Sequence, residues 1–193
     1  MPITRLDEVQ YRIYVILKDM ELEKEIPKEY INDILSKATE ILKRVNLEDK
    51  RFKYMDIDAV ALAVLYVAVK YSCFSTKMLL KILNYKRRSV YVSPNLVKRL
   101  AREIEQTLGL NITTWREACL EKLERVCRQF GYDVESVKKL YFEALSRGLM
   151  PPSALMYALD RGTKITKIDI AKMLGGTYSC LRAVREKVLK SSE

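Results

Sequence analysis

Histidine is absent from the 193 residues, and the four cysteines, Cys73, Cys119, Cys127 and Cys180, form no C-x-x-C pair. A zinc site of Cys and His ligands and histidine acid–base catalysis are therefore not expected. Cys119 and Cys127, eight residues apart, either meet on one helical face or serve as buried small apolar residues. Glycine and proline number only six and five. With so few turn residues and so much Leu, Lys, Glu, Ala and Ile, an all-helical chain is expected. The longest apolar run, Ala59 to Val69, has 11 residues, against the roughly 20 needed to cross a bilayer. No signal peptide opens the chain, so the expectation is a soluble intracellular protein without membrane partners. Three glutamines, no histidine and many Lys and Glu fit a heat-loving host. No catalytic set emerges. Glu121 and Glu124 beside Lys122 and Arg125 read as ordinary surface pairs on a helix. Gly175-Gly176 alone does not make a phosphate loop. Neither enzyme activity nor a cofactor is expected.

Apolar residues make up 49% of the chain, enough for a packed core. The net charge of +10 is unevenly placed. Residues 1–58 hold 11 basic against 13 acidic side chains, whereas residues 59–102 hold nine basic ones and no acid. Residues 161–190 hold eight basic side chains against Asp169 and Glu186. Two concentrated blocks point either to two contacts with a polyanion or to two solvated basic faces. The candidates for phosphate or partner contact are Lys77, Lys81, Lys86, Arg87, Arg88, Lys98 and Arg99 in the first block. In the second they are Lys164, Lys167 and Lys172.

The chain repeats itself. "TKMLLKIL" (76–83) matches "TKIDIAKML" (166–174) at an offset of 90. "ALAVLYVAV" (61–69) resembles "PSALMYAL" (152–159), and "LAREIEQTL" (100–108) resembles "AVREKVLKS" (183–191). The last offset is 83, so the first copy carries seven extra residues around "NYKRRSVYVSPN" (84–95). Each copy reads as five helices, and the boundary near Leu108–Thr113 predicts domains 1–110 and 111–193. In the first copy, Val9, Ile13, Ile16, Leu17 and Met20 share one face, and Ile31 to Val45 mark a helix entered near Pro27. The stretch 57–71 is apolar nearly all round and should be buried on every side. Helices over 76–83 and 94–108 follow, the second stopping at Gly109. In the second copy, Cys119, Leu123, Val126, Cys127 and Phe130 line a helix ending at Gly131. Asp133 caps the next helix, and Pro151-Pro152 open the third.

The end of the second copy, "DIAKMLGGTYSCLRAVREKVL" (169–189), has the outline of a helix-turn-helix. Leu181, Val184 and Val188 make its buried face. Tyr178, Ser179, Arg182, Arg185 and Glu186 are left on the outer face, largely in the turns that usually meet base edges. Thr177 is placed to cap, and Gly175-Gly176 to take the tight turn.

Five helices around a buried central helix, twice in tandem, resemble the paired cyclin-box core of eukaryotic transcription factor IIB and archaeal transcription factor B. The resemblance is carried by "GLMPPSALMYAL", "TKIDIAKMLGGTYSCLRAVREKVL" and "DAVALAVLYVAVKYSCFSTKMLLKIL" and covers essentially the whole chain. It implies two partners, double-stranded promoter DNA and TATA-binding protein. It implies DNA contact by Thr177, Tyr178, Ser179, Arg182 and Arg185 of the recognition helix. Arg182 falls on the family's base-contacting arginine, able to donate two hydrogen bonds to guanine. A phosphate or solvent contact is the alternative. Ser179 departs from the valine that the family often has, and Tyr178 from a small or acidic residue. The insert "YKRRSVY" grips phosphate, stacks on bases, or is a solvated loop.

The family's full-length members start with a zinc ribbon that recruits RNA polymerase. This sequence contains none, so the resemblance implies either an initiation-factor core or a ribbonless regulator. RNA polymerase is a partner only if a ribbon lies upstream. The location implied is cytoplasmic and nucleoid-associated in an archaeon, nuclear in a eukaryote. The rival from another class is a cyclin-like adaptor that binds a protein partner and reads no DNA sequence. A third reading is a stand-alone repressor that ignores TATA-binding protein.

Overall fold

The computed structural model describes residues 2–86 and 92–191, with the side chain of Tyr178 excepted. Among these residues the chain is all-helical, with eleven α-helices, one 3-10 turn and no strand. No helix among them is long and apolar enough to cross a membrane.

Packing divides the chain into two compact units, Met1–Lys70 with Leu79–Asn111, and Tyr71–Met78 with Ile112–Glu193. The first unit holds α1 (Arg5–Asp19), the 3-10 turn Leu22–Lys24, α2 (Lys28–Arg44), α3 (Lys50–Lys53) and α6 (Pro94–Leu108). It also holds most of α4 (Ile57–Tyr71) and the later part of α5 (Thr76–Leu83). Thr4 opens α1 with a capping box: its hydroxyl accepts from the Asp7 N–H, and the Asp7 carboxylate accepts from the Thr4 N–H. Of the apolar residues in the periodic pattern of α1 and α2, Val9, Ile13, Ile16, Leu17, Ile31, Ile34, Ala38, Ile41 and Leu42 are buried, while Met20 and Leu35 are half-buried. From Ala59 to Val69 only Tyr66 is more than marginally exposed, so α4 is wrapped on all sides. Its one acid near the start, Asp58, is buried and accepts from Arg12 Nε at 2.5 Å and Nη2 at 2.7 Å. Two tight polar ties missing from the sequence reading are the 3-10 turn, entered through Glu21 at φ 50°, and the single turn α3, capped by Asp49.

The second unit holds α7 (Ile112–Phe130), α8 (Val134–Ser146), α9 (Pro151–Gly162), α10 (Lys167–Met173) and α11 (Tyr178–Lys190). α9 packs against α7, α8, α10 and α11 and is the hub of this unit. Its residues Ala154 to Leu159 are all buried. Pro151 and Pro152 fill the first turn, where their missing N–H has no intrahelical partner to lose. Asp133 caps α8 through the Ser136 N–H at 3.0 Å. Tyr141, fully buried, donates from its hydroxyl to the Arg116 carbonyl at 2.8 Å. Phe130, expected to line the α7 core face, is about half exposed at the helix end.

Two expectations about side chains are corrected here. Cys119 is bonded to Cys73 in a disulfide, rather than meeting Cys127 or standing as a free buried thiol. Cys127 is a free, buried cysteine and Cys180 a free, half-buried one. Lys122 is not a surface base beside Glu121 and Glu124. It is 4% exposed, and its Nζ donates to the carbonyls of Met173 at 2.7 Å and Cys73 at 3.0 Å. The reason lies in helical phase. Lys122 follows Cys119 by three and precedes Val126 by four, which puts it on the apolar stripe of α7.

Candidate nucleic-acid interface

α10 and α11 are joined by a four-residue turn, Leu174 to Thr177. The turn follows from backbone chemistry. A helix leaves its last carbonyls without intrahelical partners. Here the Gly176 N–H donates to Ala171 O at 2.8 Å and the Gly175 N–H to Lys172 O at 3.3 Å, the two bonds of a Schellman cap. Gly175 has φ 62°, a left-handed conformation that a side chain disfavours. At the front of α10, the Thr166 hydroxyl accepts from the Asp169 N–H at 3.1 Å, so this short helix is capped at both ends.

α11 presents two different faces. Leu181, Val184 and Val188 are buried. Ser179, Arg182 and Glu186 are exposed. Thr177 stands at the N-cap position, but its hydroxyl bonds Ser179 Oγ at 2.7 Å and Cys180 Sγ at 3.5 Å and takes no backbone N–H. The N–H groups that open α11 therefore have no capping side chain from Thr177. The side chain of Tyr178 lies outside the described residues.

The arginines of α11 are held differently. Arg182 is 78% exposed and donates from Nε to Glu186 Oε1 at 3.0 Å, a solvated i,i+4 pair. Arg185 is turned toward the core side of the helix. Its Nε and Nη2 donate to the two oxygens of Asp160 on α9, at 2.7 and 2.9 Å. Asp160 is almost wholly buried. Arg185 thus ties α11 to α9 and does not stand on the outer face with Ser179 and Arg182.

The basic candidates divide in the same way. In the first unit, Lys81 pairs with Glu25 at 2.8 Å, and the neighbouring Lys70 with Glu105 at 2.7 Å. The block that holds no acid in sequence is thus partly neutralised by acids folded against it. Lys86, Lys98 and Arg99 are exposed, Arg99 resting on Met55 Sδ at 3.9 Å. Lys77, at the start of α5 and within the second unit, is exposed as well. Arg87 and Arg88 lie outside the described residues. In the second unit, Lys164 and Lys172 are exposed and Lys167 is half-buried. Among the described residues no group of three His, Cys, Asp or Glu side chains is placed to hold a metal ion.

Comparison with family models, with curated proteins and with solved structures found no match for this chain.

Proposed function

We propose that the chain is the promoter-binding core of a transcription factor B-like protein, built from two cyclin-like repeats and acting with TATA-binding protein. The observation that carries this reading is the α10–α11 corner. A Schellman-capped turn delivers a helix whose buried face is Leu181, Val184 and Val188 and whose first turns expose Ser179 and Arg182. That is the division of labour a major-groove recognition helix needs. Exposed cations at Lys77, Lys86, Lys98, Arg99, Lys164 and Lys172 supply the phosphate contacts. Base readout comes from Arg182 with Ser179 beside it, while Arg185 orients the helix.

A gel-shift titration against promoter DNA, with and without TATA-binding protein and across a salt series, tests this. The logarithm of affinity should fall linearly with the logarithm of salt, with a slope of about −0.9 for each phosphate neutralised. TATA-binding protein should tighten the complex. Affinity that hardly changes between low and moderate salt overturns the reading.

The second reading, a protein-binding cyclin-like adaptor, draws on α1. Tyr11 and Tyr14 are both more than half exposed on it, in the acidic first 58 residues. Tyrosine is common at protein interface anchors. That reading requires no sequence-selective DNA binding under any of these conditions.

A further inference from the structure

The carbonyls at the end of α10 find donors far away in sequence. Two of them are taken by the glycines of the turn itself. The next two are not: Met173 O accepts from Lys122 Nζ at 2.7 Å, and Leu174 O accepts from the Ser75 N–H at 2.7 Å. Both donors belong to one small assembly within the second unit. Lys122 also donates to Cys73 O at 3.0 Å, and its ammonium stands 3.8 Å from the centre of the Phe74 ring. Cys73 is bonded to Cys119, one helical turn before Lys122 on α7. Cys73 has φ 54°, a left-handed conformation that disfavours any residue with a Cβ. Gly176 lies against the same assembly: a Cβ there would meet Ser75 Oγ, Cys180 Sγ and Met156 Cε at 3.6 Å, ordinary van der Waals contact.

A lysine so deeply buried between carbonyls and an aromatic face is costly to desolvate, and its geometry must be held for the donors to match. The disulfide supplies that hold, because it fixes Cys73 to the same helix face that carries Lys122.

We propose that Lys122 and the Cys73–Cys119 disulfide form a clasp that positions the α10–α11 turn, and that reduction of the disulfide releases it and loosens the recognition helix. Lys122 is a positioning residue, acting through the turn. Both cysteines are fully buried in the closed fold, so the release step needs a dithiol reductant acting while this part of the unit is transiently open. One of its thiolates attacks a cysteine sulfur, the S–S bond breaks and a mixed disulfide forms. The second reductant thiol then closes onto the first, and both cysteines leave as thiols, two electrons and two protons having passed to the protein. The consequence for DNA rests on the promoter-binding reading above; the clasp itself does not.

The test is hydrogen exchange on the full chain, oxidised, reduced with dithiothreitol, as the double variant Cys73→Ser/Cys119→Ser, and as Lys122→Met with the disulfide intact. Amides from Gly175 to Leu181 should exchange about tenfold faster in all three perturbed forms, while those of Val137 to Ala144 on α8 keep their rate. Unchanged turn amides after reduction overturn the clasp. So does an equal rise on α8, which would mean general loosening rather than release of a turn. In the same samples, the ratio of promoter to random-DNA affinity should fall by about tenfold on reduction, with random-DNA affinity nearly constant. If the oxidised chain binds no promoter DNA, the promoter reading fails and the exchange rates alone decide the clasp.

Discussion

Arg185 and Asp160 meet through two parallel hydrogen bonds, Nε to Oδ2 at 2.7 Å and Nη2 to Oδ1 at 2.9 Å, joining α11 to α9, the hub of its unit. The pair is lopsided: the arginine side chain is 39% exposed and the aspartate side chain 4%. Removing the arginine strands a buried carboxylate. Removing the aspartate leaves a guanidinium that water can still reach. Arg185→Ala should therefore destabilise the protein by about 2–3 kcal/mol and Asp160→Ala by less, the exposed partner being screened by solvent. Chemical denaturation of the two single variants and the double variant checks this. Equal losses from both single variants would mean that the depth of the carboxylate is irrelevant.

The outer face of α11 carries its own restraint. Arg182 is paired with Glu186, and on the promoter-binding reading proposed above that carboxylate would repel phosphate. Glu186→Ala should raise DNA affinity severalfold and steepen its salt dependence. Arg182→Ala should remove discrimination worth about 1–3 kcal/mol at one base position and weaken random-DNA binding little. Competition gel shifts with single-base promoter variants read both effects. A uniform loss across sequences would make Arg182 a phosphate contact.

Much of the helical layout is legible in the sequence because local chemistry decides it. Pro151-Pro152, Asp133 and Gly109 each mark a helix boundary by a mechanism that involves only neighbouring residues. The apolar run 57–71 is buried on all sides, as its lack of a polar face requires. What stayed hidden are partners set by tertiary contact. Spacing along α7 leaves Cys119 either facing Cys127 or a buried small apolar residue, and neither reading points to Cys73, 46 residues away, to which it is bonded. Lys122 looked like a surface base because its neighbours Glu121 and Glu124 are acidic. Its phase with Cys119 and Val126 was the available signal. At the candidate interface, Ser179 and Arg182 are exposed as read from the pattern. Arg185 is paired with Asp160, a contact that nothing in the local sequence shows.

The two free thiols differ sharply in environment. Cys127 is buried, and its thiol is pushed up in pKa, first by that burial and then by the nearby carboxylates Asp133 and Glu124. Cys180 is half-buried at the start of α11. Since the thiolate is the reactive form, the native protein should give one fast equivalent with dithionitrobenzoate, from Cys180, and one that appears only on unfolding, from Cys127. Cys180→Ser should abolish the fast phase. A fast phase that survives in Cys180→Ser would mean that Cys127 is accessible or that the disulfide is open.

Acid should loosen the caps before it touches the apolar core. Asp133 is held below its ordinary value of 3.8 by the Ser136 hydroxyl, then by the Ser136 N–H, and Asp7 is lowered in the same way by Thr4. A carboxylate depressed in the folded state contributes stability that is fully present above its unfolded value. That contribution is lost as pH falls through the lower, folded value. Stability measured by urea denaturation should accordingly be flat near neutrality and decline once pH drops below about 4. Asp133→Asn should flatten that decline, because asparagine still caps a helix but does not titrate in this range, and so should Asp7→Asn, at the N3 position of the Thr4 capping box, where an amide oxygen can still accept from the Thr4 N–H. At neutral pH Asp133→Asn should leave stability nearly unchanged, since aspartate and asparagine cap about equally well. An acid limb unchanged in the double variant would place the titrating groups elsewhere in the protein.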